Sequence, residues 1–74
     1  MKSLIELKSG ESGIVQEISD VEIAIKLIEL GCIPGELITV SKIAPLGCPI
    51  AIQLGSDELS LRKEEAITIL VEPI

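Results

Sequence analysis

Cys32 and Cys48 are the two thiols of this chain, and they lie sixteen residues apart. Thiolates are soft ligands that select zinc over a hard ion. A structural zinc site takes about four ligands, mostly Cys and His at tight local spacing. Two isolated thiols and no His fall short of that. A site would have to borrow a carboxylate such as Glu29 or Glu36, or form between two protomers. The competing reading is that both thiols are small apolar side chains filling gaps, and the spacing favours it. Cys32 and Cys48 therefore stand as metal candidates for iron or zinc, with no cofactor required. A disulfide between them is geometrically allowed, but a cytosolic chain keeps its thiols reduced.

Other chemistry is thinly supplied. With no His, the usual general base near neutral pH is missing. Gly31, Gly35 and Gly47 match neither a phosphate-binding loop nor a dinucleotide fingerprint. The adjacent acids Glu64 and Glu65 belong to a charged turn that faces water. No catalytic residue is expected, and the chain reads as a non-enzyme.

Composition narrows the partners. Twelve acidic and six basic residues give a formal charge of −6, and there is no aromatic residue. Nucleic-acid binding needs a basic footprint and usually aromatic stacking, so it is not expected. The acidic surface also disfavours anionic lipid headgroups, though a basic patch on a protein would suit it. The opening Met1-Lys2-Ser3-Leu4-Ile5-Glu6 has no apolar core of a signal peptide. No run approaches the ~18 apolar residues of a membrane span. The expectation is a cytoplasmic protein with no direct membrane insertion.

Seventy-four residues make one domain, 1–74, near the lower size limit for folding without disulfide or metal. Its stability margin is small, and contacts in a weak homo-oligomer or with a partner would add to it. Fourteen Ile, ten Leu and four Val must supply the core. Ile and Val are stiff at χ1 and suit pleated sheets, so the composition favours β structure.

The elements follow from periodicity. After a turn at Ser9–Gly13, Ile14–Ile18 reads as a strand with Ile14 and Ile18 on one face. Ser19 and Glu22 form a capping-box pattern for a helix from about Asp20 to Leu30, stopped by Gly31. On that helix Glu22, Lys26 and Glu29 share a charged stripe, with Glu22 and Lys26 spaced for an i,i+4 pair. Ile23, Ala24, Leu27 and Ile28 face the sheet, leaving Ile25 and Leu30 at the edges of the stripe. Further strands are expected at 37–43, 50–54, 58–61 and 67–71, with a helical turn over Arg62–Ala66. The pattern is mainly β: a small SH3-like barrel of about five strands. One α-helix follows the first strand, and a short helical turn precedes the last.

Two loops pair Gly with Pro at close spacing: Leu30-Gly31-Cys32-Ile33-Pro34-Gly35 and Ala44-Pro45-Leu46-Gly47-Cys48-Pro49. Gly reaches backbone angles closed to other residues and Pro fixes φ, so both loops are tightly specified. Peptide-binding SH3 domains dock Pro-rich ligands on aromatic grooves. This chain has no aromatic residue, so a partner must meet aliphatic side chains and loop backbone. The candidates are Ile25, Leu30, Ile33, Pro45, Leu46 and Gly47. Leu46 either projects from its loop tip or folds back as a plug over the barrel end.

The ordered set Glu29-Leu30-Gly31 with Pro34-Gly35, then Ala44–Gly47 with Pro49, then Leu59, Leu61-Arg62 and Glu65-Ala66, resembles the FeoA family of bacterial ferrous-iron transport accessory proteins. Leu4, Leu7, Gly10 and Gly13 also fit the family's opening. The resemblance spans essentially the whole chain. It implies a stand-alone SH3-like domain working in the cytoplasm beside FeoB, the membrane iron transporter with a GTPase domain. Two positions depart from the family pattern: Cys48 stands where Asp or another small or polar residue is common, and the helix carries only Lys26 where Arg is frequent. Two other readings stay open. One is a small metal-sensing or metal-carrying module using Cys32 and Cys48; the other is a free-standing relative of the SH3-like domain of iron-dependent repressors.

Overall fold

Branched aliphatic side chains at alternate positions set where this chain runs extended, and the computed structural model describes all residues 1–74. Six strands form one antiparallel sheet: β1 (Lys2–Ser3), β2 (Ser12–Ile18), β3 (Leu37–Ile43), β4 (Ile50–Leu54), β5 (Asp57–Leu61) and β6 (Ile69–Pro73). Their spatial order is β1-β6-β2-β3-β4-β5. The helix α1 (Val21–Glu29) follows β2, and the single turn α2 (Lys63–Ala66) precedes β6. The sheet curls into a small barrel-like body of the SH3 type, as expected. Its interior holds Val15, Ile38, Val40, Ile50, Ile52, Leu54, Leu61, Ile69 and Val71, all buried. Leu4, Leu7, Leu27, Cys32 and Ala66 complete the core.

Four expectations are corrected. Ile14 and Ile18 do not share a face. A bulge between Val15 and Glu17 shifts the register against β6, so Val15 pairs with Val71 and Ile18 with Ile69. The extra residue flips the alternation, putting Val15 and Ile18 inward while Ile14 opposes the exposed Glu72. The strand also begins earlier than expected, because Gly13 is buried within it. A side chain there would bring its Cβ to 3.1 Å from Val71 Cβ, so β6 would have to give by a few tenths of an ångström to admit one.

The helix cap is Asp20, not Ser19. Asp20 Oδ1 accepts from the Ile23 amide at 3.0 Å. Ser19 is still committed to the sheet, its amide donating to Thr68 O at 2.8 Å. The final strand starts at Ile69 rather than Ile67, because the α2 turn continues through Ile67. The Ile67 amide donates to Lys63 O and the Thr68 amide to Glu65 O.

Two elements are absent from the sequence reading: the short strand β1, which makes six strands where about five were expected, and the turn that follows it. Leu4–Glu6 forms a 3-10 turn with reciprocal capping: the Ser3 amide donates to Glu6 Oε2 at 2.9 Å, and Ser3 Oγ accepts from the Ile5 amide. This turn carries Leu4 into the core.

Candidate functional site

The connection between β3 and β4, residues 44–49, is a closed, hydrogen-bonded loop. Its base is fastened by the Ala44 amide donating to Pro49 O at 3.1 Å, and its tip by the Gly47 amide donating to Ala44 O at 2.8 Å. Gly47 sits at φ 86°, a conformation that L side chains adopt only under strain. The result lifts Leu46 off the body: it is 95% exposed. The plug reading of Leu46 is thus set aside. Pro45 is exposed beside it and Gly47 half-buried. Cys48, also exposed, anchors the loop sideways, its Sγ accepting from the Lys63 amide at 3.3 Å.

The loop after α1 is built differently. Gly31, at φ 90°, follows the last helical turn. Its amide donates to Ile28 O at 3.0 Å while the Cys32 amide donates to Leu27 O at 2.9 Å. This paired arrangement satisfies the orphan carbonyls of the helix end and carries Cys32 into the core beside Leu27. Ile33-Pro34-Gly35-Glu36 then turns, the Glu36 amide donating to Ile33 O at 3.1 Å, with Gly35 at φ 94°. Leu30 and Ile33 are left partly exposed.

Five of the six partner-binding candidates lie at two places, and the sixth, Ile25, is on the exposed side of α1. Gly31 lies against Leu54: a Cβ added at Gly31 would sit 3.7 Å from the Leu54 side chain. Leu54 ends β4, whereas the Leu46 loop enters it at Ile50. Leu30 and Ile33 flank Gly31 toward the Leu54 end of β4, whereas Pro45, Leu46 and Gly47 precede its Ile50 end. Lys26, next to Ile25 on α1, donates through Nζ to Glu65 Oε2 at 2.6 Å. The turn α2 thus bridges α1 to the Leu46 loop, holding one through Glu65 and the other through the Lys63 amide.

This bridge corrects the expected helix surface. Lys26 pairs with Glu65 rather than with Glu22. Donation from Lys26, reinforced by the Arg62 amide, holds the Glu65 carboxyl below the usual range. Ile28 does not face the sheet; it is half exposed, and Leu27 alone on α1 is fully buried. Exposed Val21 adds an apolar position outside the expected helix surface. Its spacing from Ile25, four residues, is the signal in the sequence that points to it.

The two thiols have opposite settings. Cys32 is fully buried, and burial, assisted by the negative charge of Glu36, pushes its thiol up from 9.0. Cys48 is exposed. Nowhere do three or more Cys, Asp or Glu side chains converge to hold a metal ion. No helix is long and apolar enough to cross a membrane.

Known structures share this architecture. The FeoA protein from Chlorobium tepidum is 33% identical, with a TM-score of 0.90 over 100% of this chain and 70% of its own. FeoA from Stenotrophomonas maltophilia, a prokaryotic SH3 domain protein in complex with zinc, is 31% identical, with a TM-score of 0.84 over 97% of this chain and 91% of its own. A manganese-dependent transcriptional repressor bound to manganese shares the fold at 19% identity, with a TM-score of 0.90 over 99% of this chain and 36% of its own. The FeoA domain model itself matches residues 2–73. By that match, which spans nearly the whole sequence, this chain belongs to the FeoA domain family.

Proposed function

We propose that this chain is a non-enzymatic accessory of ferrous-iron transport, acting in the cytoplasm by binding the cytoplasmic part of a FeoB-type membrane transporter. The observation that carries the reading is Leu46, an aliphatic side chain held 95% exposed on a fastened loop. Keeping such a group in water is unfavourable by ~1.5–3 kcal/mol relative to full burial. A partner that covers it recovers this energy. Family membership, and the name of the Stenotrophomonas maltophilia relative as a ferrous iron transport factor, support the choice of partner. To modulate transport, the domain must bind one conformational state of the transporter more tightly than another.

The test is a pull-down of the transporter's soluble cytoplasmic part by the wild-type domain and by Leu46→Glu, with amide NMR spectra confirming the fold of the variant. Binding should fall by at least ~10-fold, the scale of an anchor residue lost from an interface. Unchanged capture by a folded variant would overturn the loop as the contact. Cys32→Ser combined with Cys48→Ser should leave capture and iron uptake intact.

A further inference from the structure

On α1, Val21, Ile25 and Ile28 fall at i, i+4 and i+7, so they form one stripe along the helix. They are 76%, 58% and 50% exposed, so half or more of each residue meets water. The face that holds α1 to the body is a different one, with Leu27 buried and Ile23 packed on the core. Alongside the stripe run Glu22, Lys26 and Glu29. Lys26 is drawn away to Glu65. Glu22 and Glu29 take part in no ion pair. They lie two turns apart, about 10 Å along the axis. The outer face of α1 is therefore an aliphatic ridge with an uncompensated acidic margin, on a chain of net charge −6.

That charge pattern discriminates among occupants. Two copies of α1 packed antiparallel about Ile25 would set Glu22 against Glu29 of the second copy, like charge on like charge. An anionic membrane would meet the same two carboxylates. Cations on a protein partner would complement them.

We infer that the Val21–Ile25–Ile28 face docks a basic amphipathic helix of a protein partner, its aliphatic residues on the ridge and its Lys or Arg side chains on Glu22 and Glu29. This helix-on-helix mode places anchors at the same i, i+4, i+7 spacing on the partner. It rests on the reading that the domain binds a protein through its loop-and-helix surface, and it adds the chemistry of what meets the helix.

The experiment uses two synthetic helical peptides with identical Leu ridges, one flanked by Lys and one by Glu. Each is titrated into the isotopically labelled full chain and followed by amide NMR shifts and fluorescence anisotropy. The Lys-flanked peptide should bind, with shifts centred on residues 21–29, and affinity should fall as salt rises. Ile25→Ser should weaken it about tenfold. The double variant Glu22→Lys with Glu29→Lys should exchange the preference to the Glu-flanked peptide. Equal binding of both peptides, shifts centred elsewhere, or no binding of the Lys-flanked peptide at millimolar concentration would overturn the inference. So would dimerisation in sedimentation equilibrium that Ile25→Ser abolishes, or sedimentation of the wild-type domain with phosphatidylserine vesicles that the same variant abolishes.

A pull-down of the transporter part separates the two proposals. Capture that depends on Leu46 but not on α1 would keep the function and remove this face. Peptide binding at α1 without capture would keep the face and remove the transporter.

Discussion

A thiol reacts as its thiolate, so burial and solvent access decide which cysteine is available. Cys32 is sealed in the core with its proton held more tightly than in water, while Cys48 is open to solvent. The native chain should therefore titrate one thiol with Ellman's reagent, at Cys48, and two in urea. Rapid reaction of two thiols in the folded protein would contradict the placement of Cys32. Both cysteines lie in Gly/Pro loops of the sequence, and nothing local separates them. The difference lies in the helix-end geometry at Gly31, which turns Cys32 inward, and in the hairpin loop, which leaves Cys48 outside. Leu46 is a similar case, open in the sequence to projection or plug. Its neighbours Pro45 and Gly47 mark a loop tip, but only the hydrogen bonds of that loop fix which way the tip points.

At the scale of elements, α1 hangs on few contacts. Leu27 is its one fully buried side chain, so Leu27→Ala should cost ~2–5 kcal/mol in urea unfolding. A chain this short has about 4–11 kcal/mol in total. Gly31→Ala tests the helix end. A methyl group would fit the space, meeting only Leu54 at 3.7 Å, so the cost comes from φ 90° alone. It should be about 1 kcal/mol, measured in the same way. Substitution without loss of stability would show that the turn relaxes. The helix and its stop are legible because Gly31 and the 3.6-residue apolar pattern are local signals. The buried face is less so. Ile28 falls on the apolar arc that periodicity assigns to the sheet, yet periodicity does not say how much of that arc the body covers. In β2 the alternation fails at the bulge between Val15 and Glu17, since the extra residue is defined only by pairing with β6. The opening 3-10 turn is hidden for a related reason: three residues carry too little periodicity to register.

At the scale of the molecule, α2 joins the parts that a partner would meet. Lys26 reaches Glu65 across thirty-nine residues of sequence, and Cys48 reaches the Lys63 amide across fifteen. The lowered Glu65 carboxyl gives the first contact a pH dependence. Its folded pKa lies below the unfolded value, so the stabilisation is full above about pH 4.5 and is lost as pH falls through the folded pKa. Glu65→Gln should thus destabilise the protein at pH 7 by less than about 1 kcal/mol, because Lys26 remains largely in solvent. The gap between variant and wild type should narrow as pH falls below about 4.5. A gap that stays constant as the carboxyl protonates would assign Glu65 a role other than its charge.

Fold class, the positions of most strands, the helix and its stop, and the two Gly/Pro loops are all readable along the chain, because each is written in short-range periodicity and turn chemistry. So is the family pattern, which runs along nearly the whole sequence. Which side chains stay in water is settled by folding in three dimensions. Folding places Leu30 and Ile33 toward one end of β4 with the Leu46 loop at the other, moves Lys26 from Glu22 to Glu65, and leaves Val21, Ile25 and Ile28 as a ridge. Exposure and ion pairing depend on which surfaces distant segments cover, and that information resides in the packing of the barrel rather than in any local stretch of residues.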